Sequence, residues 1–227
     1  MGLARRQPRW LRGAGLPGGV TVFWQDFAQQ AAPPPWTDRY PATMPDGQVL
    51  ELPIRDYGDT GVAGLIANQA SFAVVRALTG WMAAAVADLR ADTVLGLPTL
   101  GQVFAPLLAE ALGHPSWVAA GYTRKRWYDD ALSVPITSST GPAGRRLWLD
   151  PSVLDRLAGR RVLLVDDVIS SGASARAGLA LLALAGVRPV ALAVAMAQGE
   201  RWRPLDMDVR AAFSTPLLHR SSGGGWT

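Results

Sequence analysis

The sequence predicts an α/β protein built on a mainly parallel sheet flanked by helices. From Thr93 onward, short apolar runs alternate with helix-length segments, the pattern of strand–helix–strand units. These runs are apolar throughout rather than alternately polar, as in strands covered on both faces. One of them, Val162–Val165, passes directly into two acids, a hydroxyl-rich loop and a further helix. With 49% hydrophobic residues among 227, the chain has material for a sizeable core and no composition of general disorder.

In chain order, residues 1–40 have no sustained period and include Pro33-Pro34-Pro35. Tyr40–Arg55 reads as a hairpin, with a turn at Pro45-Asp46-Gly47 and an alternating run Val49–Ile54. Asp59 or Thr60 caps a helix expected from about Val62 to Arg76 and resuming after Gly80 to Arg90. Thr93–Leu97 is a strand, Gly101–Leu112 a helix stopped by Gly113, and Trp117–Ala120 a strand. Gly121–Arg146 is polar and irregular, long for an idle connection. Asp150–Leu157 is a short helix, Val162–Val165 a buried strand, Ser174–Ala185 a helix and Pro189–Met196 a strand. The resulting division is a basic, flexible N-terminus over 1–20, an irregular segment with a hairpin over 21–60, an α/β core over 61–200 and a C-terminal tail over 201–227.

Composition narrows the function. There are no cysteines, which removes disulfides and thiolate metal sites and fits a cytoplasmic protein. The two histidines, His114 and His219, stand far apart, so a His-rich metal site is not expected. A net charge of +4 suits anionic small molecules at least as well as nucleic acid. Part of it sits in Arg5, Arg6, Arg9 and Arg12, in a stretch without the apolar core of a secretory signal. No helix-turn-helix pattern is visible in residues 1–60, so nucleic acid is not an expected partner. Gly186, Arg188 and Pro189 divide the apolar stretch Gly178–Ala197 into a helix and a strand, and no membrane partner is expected.

Ligands of parallel sheets bind at the carboxyl ends of the strands. Val162-Leu163-Leu164-Val165 is followed there by Asp166-Asp167, Val168-Ile169 and Ser170-Ser171-Gly172-Ala173-Ser174, and then by a helix. Adjacent carboxylates at a buried strand end raise each other's pKa and call for sugar hydroxyls or a cation to satisfy them. A glycine-containing loop opening a helix makes a phosphate site. Each element alone fits a capped strand end with an ordinary serine-rich loop; the ordered string is what points to a ligand. No Gly-Lys-Ser/Thr follows, so this is not a P-loop.

Val162–Ser174 resembles the phosphoribosyl pyrophosphate (PRPP) signature of the type I phosphoribosyltransferases. The spacing over Thr93–Met196 is most similar to that of the adenine phosphoribosyltransferases, with the orotate enzymes next. The resemblance implies the type I phosphoribosyltransferase fold with a small N-terminal hood. It implies transfer of 5-phosphoribosyl from PRPP to a nitrogen of a purine-like base, with release of pyrophosphate. Asp166 and Asp167 would bind the ribose hydroxyls and stabilise the cationic sugar. Ser170, Ser171, Gly172, Ala173 and Ser174 would cradle the 5′-phosphate. Mg²⁺ is the implied cofactor, held mostly by PRPP itself and only indirectly by Asp166 and Asp167. A homodimer is also implied.

Two further loops fit this resemblance. Gly96-Leu97-Pro98-Thr99-Leu100-Gly101 lies where the family has its pyrophosphate loop, with Pro98, Thr99, Leu100 and Gly101 as candidate contacts; by itself it also reads as a plain β–α turn. Family members often carry a basic residue there, and this chain has Leu100. Gly121–Asp130 lies where the family has a mobile loop, and holds Arg124, Lys125 and Arg126, with Lys125 the only lysine. These three are the candidate catalytic cations for the departing pyrophosphate, although a charge run alone is equally a solvated face. Ser170 stands where hypoxanthine-guanine enzymes carry a catalytic Asp, which disfavours 6-oxopurines. The acid that adenine enzymes carry is not evident in Ser133–Gly144, leaving Asp129 or Asp130 as substitutes. Phe23–Ile54 and the segment after Gln198 are the hood candidates, with Trp24, Trp36, Tyr40, Trp202 and Phe213 available for stacking or for packing. The alternatives are a PRPP-binding regulatory protein and a pathway enzyme with a non-nucleobase nitrogen acceptor.

Overall fold

A computed structural model of the chain describes residues 23–136 and 144–227. The arginines at 5, 6, 9 and 12 and most of the stretch searched for an acid therefore lie outside the described residues. The first strands, β1 (Arg39–Thr43) and β2 (Val49–Asp56), form the expected hairpin, with Thr43 opposite Val49. Asp46 stabilises its turn by accepting from the Gln48 amide at 3.0 Å.

The helix expected from Val62 does not form there. Thr60–Ala63 is instead β3, because β2 and the distant Leu217–His219 pair with its two edges and satisfy its backbone. The helix α1 starts later, at Phe72, and runs to Val86 straight through Gly80. Its cap is Ser71, not Asp59 or Thr60: the Ser71 hydroxyl accepts from the Val74 amide at 3.2 Å and donates to the Gln25 carbonyl at 2.6 Å.

From there the alternation holds. β4 (Thr93–Gly96) leads to α2 (Gly101–Ala111), then β5 (Val118–Ala119). The expected irregular stretch 121–146 contains the start of a hairpin, β6 (Ser133–Pro135) and β7 (Arg146–Trp148), paired antiparallel. A 3₁₀ turn over Pro151–Arg156, capped by Asp150, precedes β8 (Val162–Ile169), α3 (Ala173–Leu184) and β9 (Ala191–Gln198). Residues 201–227, expected as a tail, supply β10 (Val209–Thr215) to the main sheet, while β11 (Leu217–His219) joins the hairpin strands. Val209–Phe213 pairs with β9, a partner that its local sequence does not reveal.

The result is a five-stranded parallel sheet, β10-β9-β8-β4-β5, beside a four-stranded antiparallel sheet, β1-β2-β3-β11. Helices α1 and α2 cover one face of the parallel sheet, with Leu78, Met82, Phe104, Leu108, Leu163 and Val165 in one core. Helix α3 and the β6–β7 hairpin cover the other, with Leu97, Leu147, Leu164, Leu181 and Val194. Phe72–Leu89 is long and apolar enough to cross a membrane by composition, yet Val74, Val75, Leu78, Met82 and Val86 are buried in this core.

Two substitutions separate the observed helix start from the expected one. Ser71→Ala should lower the unfolding free energy by about 1 kcal/mol in urea titrations. Asp59→Ala, at an exposed position, should change it by no more than about 0.5 kcal/mol.

Candidate active site

The site arises where two neighbouring strands part. β8 pairs with β4 only as far as Val165, opposite Gly96, but stays paired with β9 through Ile169, opposite Ala197. Asp166 and Asp167 therefore occupy a stretch of strand whose β4 side has been vacated. The chain leaving β4 still donates from Leu97 N to Val165 O at 2.8 Å and then turns into α2.

Helix α2 begins directly over the acids. A Cβ on Gly101 would lie 2.7 Å from Asp166 Cα, 2.9 Å from its Oδ1 and 2.9 Å from the Val165 carbonyl oxygen. Only glycine permits this approach. Asp166 is 7% exposed and its Oδ1 accepts from the Asp167 amide at 3.0 Å. Burial pushes its carboxyl well above the ordinary range, and the neighbouring Asp167 charge adds to this. Asp167, partly buried, is also raised by burial. Neither acid forms an ion pair among the described residues. Such a pair favours partners that donate hydrogen bonds or carry positive charge.

The second component follows within a few residues. Gly172 caps α3 in the left-handed conformation at φ 76°, which favours glycine, and a Cβ there would also displace the end of the Leu205 side chain, 2.6 Å away at Cδ1. Arg176 donates to the Ser171 carbonyl at 2.8 Å and holds the loop from outside. The amides that open this twelve-residue helix, beside Ser170, Ser171 and Ser174, make a favourable seat for a phosphate, the first of them donating to Ser171 Oγ at a long 3.4 Å.

The third component is the loop from Gly96 to Gly101. Its Pro98–Thr99 peptide is cis. Tyr122 donates its hydroxyl to the Pro98 carbonyl at 2.8 Å, and Gln102 donates to the Ala120 carbonyl at 2.5 Å, binding the loop to β5 and its continuation. Leu100 packs on the core beneath α2 and brings no charge.

The expected basic triplet is not gathered onto this site. Arg124 is turned toward Asp130, Nε to Oδ1 2.8 Å, and its guanidinium lies 5.6 Å from the Trp148 ring centroid. Trp127 donates to Asp150 at 3.0 Å. Lys125 and Arg126 are exposed and make no ion pair among the described residues. A different cation stands at the site: the Arg145 guanidinium lies 4.3 Å from the centroid of the Tyr122 ring. Burial raises the Tyr122 phenol above its ordinary value, Asp166 adds to that, and Arg145 opposes it. Sequence reasoning passed over both residues. Tyr122 stands two residues before the triplet, within the same Gly121–Asp130 loop; Arg145 reaches it only through hairpin pairing.

Of the candidate stacking aromatics, Phe213 is buried in the core, Trp24 packs against it, and Trp36 and Tyr40 pack edge to face at 5.0 Å. Trp202 lines a cleft, a space of about 750 Å³ at the carboxyl ends of β9 and β10 that also touches Gly199, Ser214, Leu217 and His219. No three His, Cys, Asp or Glu residues cluster as a metal site among the described residues.

A parallel sheet with an acid pair beside a strand break, a helix opening on a glycine- and serine-containing loop and an accompanying antiparallel sheet is the arrangement of an α/β protein of the type I phosphoribosyltransferase class. The family described as Phosphoribosyl transferase domain matches residues 62–221, and the chain belongs to that family. The adenine phosphoribosyltransferase of Kineococcus radiotolerans is 31% identical over 170 residues, covering 70% of this chain and 83% of the relative. That of Frankia casuarinae is 33% identical over 179 residues, covering 70% and 87%. The solved adenine phosphoribosyltransferase of Rhodothermus marinus superposes with a TM-score of 0.55 at 20% identity, over 71% of this chain and 94% of that one. The activity of the chain is that of a phosphoribosyltransferase.

The buried acids give the unliganded protein a particular pH response. Unfolded, Asp166 titrates near about 4; folded, it holds its proton to higher pH. Between those values the native state binds more protons, so stability falls as pH rises through the folded-state titration. Asp166→Asn should reduce this fall, leaving the part due to Asp167, and raise the melting temperature near neutral pH, read by calorimetry from pH 4 to 8. Gly101→Ala should cost about 1–3 kcal/mol, because backbone atoms of Val165 and Asp166 cannot yield.

Proposed function

We propose that this protein transfers the 5-phosphoribosyl group of PRPP to a ring nitrogen of a purine base, adenine in the first instance, with release of pyrophosphate. The observation that carries this proposal is the unpaired, buried acid pair at the break between β4 and β8, with the helix-start phosphate seat following within a few residues. The acceptor is supported by the names of the relatives in the comparison and by Ser170 in place of the acid of 6-oxopurine enzymes.

Asp166 and Asp167 accept from the two ribose hydroxyls. The segment Ser170–Ser174 receives the 5′-phosphate, and Pro98–Gly101 receives the pyrophosphate through its amides and the Thr99 hydroxyl. The C1′–oxygen bond to pyrophosphate breaks with its electron pair leaving on the pyrophosphate oxygen, a C1′–nitrogen bond forms, and the proton of the base nitrogen passes to the solvent. Positive charge develops on the sugar, and the adjacent carboxylates lower its energy in a poorly solvated place. Arg124, Lys125 and Arg126 serve the negative charge collecting on the leaving group, by moving inward from their exposed positions. Mg²⁺, the cofactor the family uses, supplies charge neutralisation to the pyrophosphate. Two carboxylates without a third ligand fit a cation held mainly by PRPP oxygens. The antiparallel sheet β1-β2-β3-β11 is the hood, and the cleft beside Trp202 is the seat of the base. We place the protein in the cytoplasm as a homodimer, which light scattering of the purified chain would read.

Pyrophosphate release from PRPP and Mg²⁺ should be strongest with adenine among a panel of bases. Tight PRPP binding without turnover of any base would favour a regulatory protein or a non-nucleobase acceptor. Replacing Asp166 and Asp167 together by Asn should weaken PRPP binding by about 100-fold or more with the fold intact. Lys125→Ala should lower kcat by about 10–100-fold and leave PRPP affinity within about 3-fold, the signature of a contact made in the transition state.

A further inference from the structure

We propose that Arg145, seated on the ring of Tyr122, is a pyrophosphate-binding residue of this enzyme, supplying the cation that Leu100 leaves missing from the loop after β4. The proposal rests on the PRPP-dependent activity above and assigns a residue outside the Gly121–Asp130 loop to it.

Three observations place the guanidinium. Tyr122 is the link between the elements, since its hydroxyl donates to Pro98 within the loop at 2.8 Å while its ring carries Arg145 at 4.3 Å. Besides burial, Asp166 and Asp167 both raise the phenol and Arg145 opposes them, so the acid pair and the guanidinium act on the side chain that is bonded to the loop. Arg145 is placed there by the hairpin: its carbonyl accepts from Ile136 N at 2.9 Å, extending the β6–β7 pairing.

Its neighbour makes the contrast. Arg146 is committed to structure, donating to the Ser133 carbonyl at 2.9 Å and to its hydroxyl at 2.7 and 3.0 Å. Arg124 is likewise occupied by Asp130. Arg145 is exposed and forms no ion pair among the described residues; its guanidinium is engaged by the phenol and ring of Tyr122 rather than by an acid. A guanidinium stacked on an aromatic face is oriented at little further entropic cost, and its planar fork matches adjacent phosphate oxygens in a way an ammonium does not. The ligand class this geometry takes is a diphosphate, free or as the leaving end of PRPP.

The test uses the full chain with Mg²⁺ and three probes: inorganic pyrophosphate, PRPP and ribose 5-phosphate. Arg145→Ala should weaken pyrophosphate and PRPP by about 10-fold or more and leave ribose 5-phosphate unchanged, because the last has no group to reach it. Arg145→Lys should recover only part of the loss, since charge returns without the stacked fork. Tyr122→Ala should weaken pyrophosphate similarly, and the double variant should be little worse than either single one. Unchanged pyrophosphate and PRPP affinity in Arg145→Ala, with the unaltered protein binding both, would overturn this assignment alone. Equal losses for all three probes would also overturn it, marking a general structural effect. Failure of the unaltered protein to bind PRPP or pyrophosphate would overturn the underlying activity as well.

Discussion

Two strands that run together to a point and then separate govern this molecule. β8 remains bonded to β9 through Ile169 while β4 departs after Gly96, and the vacated edge is where Asp166 and Asp167 stand. Everything around them follows from keeping that edge both dry and open. α2 can start above Asp166 only because Gly101 has no side chain, and the burial it causes is what raises the carboxyl pKa. Moving the helix away would hydrate the acids and relax their hunger for a partner. Filling the gap with a Cβ would drive it into backbone. The site is thus held in a state that costs stability without ligand and returns it with one.

The rest of the fold holds the surrounding loops in register with that edge. α1 and α2 pack on one face of the sheet and α3 with the β6–β7 hairpin on the other, so the loops after β4 and β8 are clamped from opposite sides. The C-terminal segment closes the arrangement twice. β10 completes the parallel sheet, and β11 crosses to β3 and binds the antiparallel sheet to it. Gln198, at the end of β9, donates to the Ala63 carbonyl at 2.7 Å and adds a buried bond between the two sheets.

Cationic groups around the acids are distributed by what each is already bonded to. Arg146 is spent on Ser133, Arg176 on the Ser171 carbonyl and Arg124 on Asp130. These contacts shape the hairpin, the loop that opens α3 and the exposed loop, respectively. Exposed ion pairs such as Arg124–Asp130 contribute little to stability, so that contact can be exchanged for a ligand at small cost. Arg145 differs in being oriented by a ring rather than neutralised by an acid.

The sequence by itself determined the parallel α/β class, the strand–acid–loop–helix string and the places of the two flanking loops. Each of these is written in contiguous residues: apolar runs of strand length, Asp166-Asp167 directly after Val165, and glycine where a helix starts on an anion seat. It did not determine that Val62 extends a strand, that α1 waits for Ser71, or that residues after 201 return to both sheets. Those outcomes depend on strand partners far along the chain, and local propensity carries no record of them. The same holds for the cations. A triplet in sequence reads as a cluster, but Arg124 is turned to Asp130, while hairpin pairing lays Arg145 on Tyr122. Which carboxylate is buried, and how far its proton affinity rises, was likewise a tertiary decision: it follows from the approach of Gly101, and burial is a property of what surrounds a residue.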